Sequence, residues 1–104
     1  MSRRSTRRPQ FDASHPLLDG PVAERLDLHG FRAEEAEVAV RQFLTSWQRR
    51  GRGLVVHVIT GKGRGSSQGP VLKRKVAALL KQLPAIVADW APDEAGGGFK
   101  IRLR

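Results

Sequence analysis

Apolar residues recur along this chain with two different periods. Residues 24–29, ERLDLH, alternate polar and apolar, with Leu26 and Leu28 on one side and Asp27 and His29 on the other. That is the pattern of a half-buried strand, and Gly30 ends it. From Ala33 to Arg50 the period becomes helical, with Ala36, Val40, Phe43, Leu44 and Trp47 in one stripe. Glu34, Glu35 and Glu37 lie near its start and Arg49 and Arg50 at its end, as the helix dipole favours. Arg32 stands where a Ser or Thr cap would be usual. Residues 51–53 form a turn. Leu54 to Ile59 is apolar and β-branched apart from His57, which predicts a buried strand. The next ten residues, TGKGRGSSQG, hold four glycines and two serines and build no core, so they predict a loop. Pro70 suits a first helical position. Val71, Leu72, Val76, Leu79, Leu80 and Leu83 then follow at helical spacing. Pro84 breaks that helix and Ile86 to Ala91 predicts a third strand. PDEAGG at 92–97 reads as a loop, and Gly98 to Leu103 as a fourth strand with Phe99, Ile101 and Leu103 on one face.

The predicted order is β-α-β-α-β-β, an α/β domain with two helices and a mixed four-stranded sheet, since the last two strands are close enough to pair antiparallel. No internal repeat is present. Residues 1–20, MSRRSTRRPQFDASHPLLDG, lack periodicity and are rich in Arg, Ser and Pro, which predicts a disordered basic arm ahead of a domain at 21–104. Arg3, Arg4, Arg7 and Arg8 would touch phosphates only non-specifically, and a solvated tail accounts for them equally well. Phe11, Leu17 and Leu18 are the residues able to pin the arm to the domain.

Composition narrows the classes. A chain of 104 residues with 39% hydrophobic content supports one modest core. The absence of cysteine removes disulfides and thiolate metal sites. No apolar run approaches the roughly 18 residues of a membrane span, and the start of the chain has no apolar signal core, so a cytoplasmic location is expected. The net charge is +9. From Val38 to Ala88 there are ten Lys or Arg and no Asp or Glu. A one-signed field of that size points to nucleic acid ahead of a membrane surface.

The glycine loop sits between a strand end and a helix start, where backbone N–H groups and the helix dipole can receive a phosphate. Lys62 and Arg64 lie inside it, and Lys73 follows in the helix. A glycine-rich connector would carry the same glycines, but not the same cations and lack of acids. It is not a nucleotide P-loop: Gly63 follows Lys62 where the Mg²⁺-binding Ser or Thr would stand. Alternation also places Asp27, His29 and His57 on the sheet face away from the helices, with Lys100, Arg102 and Arg104 able to share it. Imidazole is the side chain suited to acid–base work near neutral pH, and Asp27 could orient His29. Alone, a D-x-H pair is equally consistent with surface polarity.

LDLHG at 26–30, opening a strand–helix unit, with ITGKG at 59–63 closing the next strand and AGGGFKIRLR at 95–104, resembles the Smr (small MutS-related) domain. The resemblance covers about residues 23–104. It implies a two-layer α/β sandwich, similar to the C-terminal domain of a bacterial translation initiation factor. It also implies nucleic-acid binding and, in several members, endonuclease activity: nicking of DNA, or cleavage of RNA, including messenger on stalled or collided ribosomes. Asp27 and His29 then fall in the role linked to cleavage, and Thr60, Gly61, Lys62 and Gly63 in substrate binding. Two departures matter. Many members have His-Gly-Gly before the last strand, where Glu94 and Ala95 precede Gly96 here, and Thr60 replaces a histidine found in some. No ATPase motif accompanies the domain, so a stand-alone form is expected.

Two functions are therefore expected. The first is an endonuclease for RNA or structured DNA, with His29 as general acid or base, Asp27 as its orienting partner, and the loop with Lys62, Arg64, Lys73 and Arg102 on the substrate backbone. The second is a non-catalytic module for branched DNA or ribosomal RNA. No cofactor is required by these residues; a divalent metal is compatible, but one Asp and one His are a thin set for a two-metal site. A monomer is expected. Most aromatic residues have internal positions, so base stacking should be minor.

Overall fold

A computed structural model describes residues 20–61 and 69–104. Six elements follow in order: β1 Glu24–Asp27, α1 Ala33–Gln48, β2 Val55–Ile59, α2 Gly69–Lys81, β3 Val87–Pro92 and β4 Gly98–Leu103. The sheet runs β1-β2-β4-β3. β1 pairs parallel with β2, and β4 pairs antiparallel with both β2 and β3. The sheet is thus mixed, as its sequence order implied. The arm at residues 1–19 and the loop residues 62–68 lie outside the described residues.

Alternation decides which face meets the helices. Leu28, Val56, Val58, Phe99, Ile101 and Leu103 join Ala36, Val40 and Leu44 of α1 and Leu72, Val76, Leu79 and Leu80 of α2 in one buried cluster. Two helices on one sheet face make two layers. Trp90 stands edge-on to Phe99 on the same side, ring centres 5.4 Å apart. Among the described residues, the other face carries a small cluster of Val55, Ala91 and Val22.

Several expected details change. Val71 is exposed, because the stripe of Leu72, Val76, Leu79 and Leu80 centres about 125° around the helix from it. α1 stops at Gln48, with the Arg50 guanidinium over the Trp47 ring at 4.3 Å. Its start is better capped than Arg32 suggested, since the Arg32 main-chain N–H donates to Glu35 Oε1 (2.9 Å). Glu37 links the helices through Lys75 (3.3 Å), and that partner's hydrogen bond holds the Glu37 carboxyl below its ordinary range. Between Val87 and Asp89 the β3–β4 register shifts by a residue, a bulge that periodicity alone does not announce.

Candidate functional site

Parallel pairing of β1 with β2 sets Asp27 beside Ile59. The ends of the D-x-H stretch and of the strand feeding the glycine loop therefore share one sheet edge. Past the last strand residue the pairing continues: Leu28 N–H donates to the Ile59 carbonyl (2.8 Å) while its side chain is fully buried. The carboxyl ends of neighbouring parallel strands are where open α/β sheets bind ligands.

His29 is exposed, but it belongs to a turn and not to β1. The cause is local. Asp27 Oδ1 accepts the His29 main-chain N–H (2.9 Å), and Phe31 N–H donates to Leu28 O (2.9 Å), which closes the turn. This bond of the Asp27 carboxylate is to the main chain, so Asp27 holds the turn that presents the imidazole rather than gripping the ring through that oxygen.

At the neighbouring strand end, Thr60 is buried. Its N–H and that of Gly61 both donate to Gly97 O (2.8 and 2.9 Å), and its hydroxyl lies 3.3 Å from the same carbonyl. Gly61 has φ +89°, a conformation that glycine alone adopts freely. The two first amides of the loop are thus committed inside the protein and do not face a ligand. Lys62, Gly63 and Arg64 lie outside the described residues. Lys73 donates from Nζ to Gly96 O, tying α2 to the β3–β4 turn.

The remaining cations go elsewhere. Arg102 pairs in register with Val55, four residues from Ile59, which is about 13 Å along the strand. It lines a groove of about 510 Å³ with Gly20, Pro21, Val22, Ala23, Gly53, Leu54 and Val55, and its Nε is buried without a hydrogen-bond partner among the described residues. Arg104 does not join the open face: its Nε bonds Pro84 O and its N–H bonds Ile86 O (2.9 Å).

The residue that periodicity misses is Asp93. It reads as part of a loop, yet it is only 8% exposed. Its Oδ2 lies 2.8 Å from His57 Nε2, its Oδ1 accepts Gly97 N–H (3.0 Å), and its main chain closes the turn with Gly96 and Gly98. An Asp opening a glycine-rich turn is the one available signal. Burial pushes the Asp93 carboxyl up, but bonds from His57, Gly96 and Gly97, with the charge of His57, outweigh it and hold the group below the usual carboxylate range. A carboxyl with a depressed folded pKa contributes stability above its unfolded pKa and loses it as pH falls through the folded one. The stability advantage of wild type over Asp93→Asn, measured by urea denaturation, is therefore expected at pH 7 and should shrink toward about pH 3. An advantage independent of pH would contradict the assignment.

Among the described residues, no group of three or more His, Asp or Glu is placed to hold a metal ion, and no helix is long and apolar enough to cross a membrane. What remains is a small α/β domain whose adjacent parallel strands lead, one into an exposed histidine turn, the other into the glycine-rich stretch that carries Lys62 and Arg64 in the sequence. The profile of the Smr domain matches residues 26–101 of the 104, and the chain belongs to the Smr family, whose domain binds nucleic acid. The match begins at the first residue of LDLHG and runs through the glycine loop into β4. No curated protein and no solved structure matches the chain.

Proposed function

We propose that this domain is an endonuclease that cleaves RNA, or nicks structured DNA, by general acid–base chemistry on a phosphodiester. The observation that supports it most is the register of Asp27 with Ile59, extended by the Leu28–Ile59 hydrogen bond, which seats the His29 turn beside the entrance of the glycine loop. On RNA, His29 accepts the proton of the 2′-hydroxyl as its oxygen attacks the adjacent phosphorus, or protonates the departing 5′-oxygen. Asp27 fixes the turn and puts a negative charge near the imidazolium that forms. Because Gly97 takes the amides of Thr60 and Gly61, the anion contacts fall to the Gly63 main chain and to Lys62 and Arg64, whose two positive charges offset the phosphorane. This route requires no metal, since the internal nucleophile does the work of an activated water.

A second reading, a non-catalytic module for branched DNA or ribosome-associated RNA, is favoured by Thr60, where some members of the family have a histidine, and by Glu94-Ala95, where many have one before the glycines. Both readings place the loop on the backbone. Lys62→Ala with Arg64→Ala is expected to weaken binding to any sequence and to flatten the plot of log affinity against log salt by roughly 0.7–0.9 per lost contact. Fluorescence anisotropy on a labelled single-stranded RNA checks it, and an unchanged slope would remove the loop from the interface. Binding without turnover on any RNA or supercoiled DNA, with or without EDTA, would select the binding module.

A further inference from the structure

We propose that Asp93 and His57 are positioning residues for the glycine loop: by holding Gly97 they fix the path on which the chain enters the loop. The inference rests on the reading above, that the loop takes a phosphate, and concerns residues outside both family motifs.

The bonds form a continuous chain. His57 stands mid-strand between the fully buried Val56 and Val58. The ring leaves the strand on the face opposite those two side chains and is itself only 18% exposed; so little water reaches it that it needs a partner, and Asp93 Oδ2 at 2.8 Å is that partner. The other oxygen, Oδ1, takes Gly97 N–H at 3.0 Å. The carbonyl of the same Gly97 receives Thr60 N–H at 2.8 Å and Gly61 N–H at 2.9 Å. Gly61, at φ +89°, is the last described residue before the loop, so the direction of entry is set where Gly97 grips it. The exit is tied to the same turn, because Lys73, one helical turn into α2, bonds Gly96 O. Asp93 thus governs one turn on which both ends of the loop hang.

The site is built for this arrangement at Gly98 too. A Cβ there would stand 2.3 Å from Val58 O and 3.0 Å from Asp93 Oδ2. Only glycine lets β4 pass close enough for Asp93 to reach across to His57. A pair that served stability alone would leave binding by the folded protein unchanged, and the salt slope separates the two roles.

The test measures RNA affinity and its salt slope on the full chain well below its melting temperature. Asp93→Ala is expected to weaken binding about tenfold and to flatten the slope toward that of the Lys62→Ala, Arg64→Ala variant, as loss of one or two phosphate contacts would. Adding Asp93→Ala to that variant should change little further. Asp93→Asn should restore most of the affinity, since its amide oxygen still accepts Gly97 N–H and its NH₂ can meet the His57 ring in the tautomer protonated at Nδ1. His57→Ala, which leaves the Gly97 bond in place, should lose affinity a few-fold with a shallower slope, and it serves if Asp93→Ala does not fold. Wild-type affinity and slope in Asp93→Ala, or in His57→Ala if Asp93→Ala is unfolded, would overturn the inference, provided the Lys62→Ala, Arg64→Ala variant loses both. If that variant also binds as wild type, the loop reading falls, and this inference with it.

Discussion

Replacing His29 with Ala is expected to abolish cleavage while leaving fold and RNA affinity close to wild type. The side chain is exposed and is not part of the buried core. The one bond that shapes its turn uses the main-chain N–H, which alanine keeps, so Asp27 Oδ1 still closes the turn. What disappears is the only imidazole on the D-x-H turn. Loss of a general acid or base typically costs about 10²–10⁴ in rate. Circular dichroism and RNA anisotropy on the same preparation should show an intact, binding-competent protein. Asp27→Ala should be less selective, because removing the carboxylate frees the turn as well as altering the charge beside the ring.

Leu28→Ala should behave in the opposite way. Leu28 lies between two polar neighbours in sequence, yet it is fully buried in the cluster shared by both helices and three strands. Truncation removes its apolar contacts and leaves a cavity that the helices cannot close without moving. The expected cost is roughly 2–5 kcal/mol. For a domain of this size each kcal/mol lowers the melting temperature by about 4–8 °C. Thermal denaturation should show a fall of about 10 °C or more, with residual activity tracking the folded fraction. A change of a degree or two would mean that the site edge is not welded to the core through this residue.

The elements were legible because their patterns are local. Period two in residues 24–29 and 98–103 and period 3.6 in α1 and α2 each reflect one buried face. Composition read the glycine-rich stretch as a loop, and its residues 62–68 lie outside the described residues. The failures are at places where a side chain captures the backbone or where contact depends on distant pairing. Alternation carried the first strand through His29, but the Asp27 carboxylate takes the His29 amide and ends it two residues early. The same alternation sent Arg104 outward, whereas the α2–β3 connection claims it. Thr60 and Gly61 looked like phosphate donors, and Gly97, 36 residues beyond Gly61, takes their amides. Asp93 and His57 are also 36 residues apart and meet only once β4 has paired with both β2 and β3. No periodicity along either segment encodes that meeting.

The most direct measurement is single-turnover cleavage of one end-labelled RNA in EDTA by wild type and His29→Ala at matched folded concentration. An endonuclease acting through His29 and the 2′-hydroxyl gives a 5′ fragment ending in a 2′,3′-cyclic phosphate and a 3′ fragment beginning with a 5′-hydroxyl, at a rate about 10²–10⁴ higher for wild type. Equal rates for the two proteins, with wild type clearly turning over, would contradict the assignment of His29.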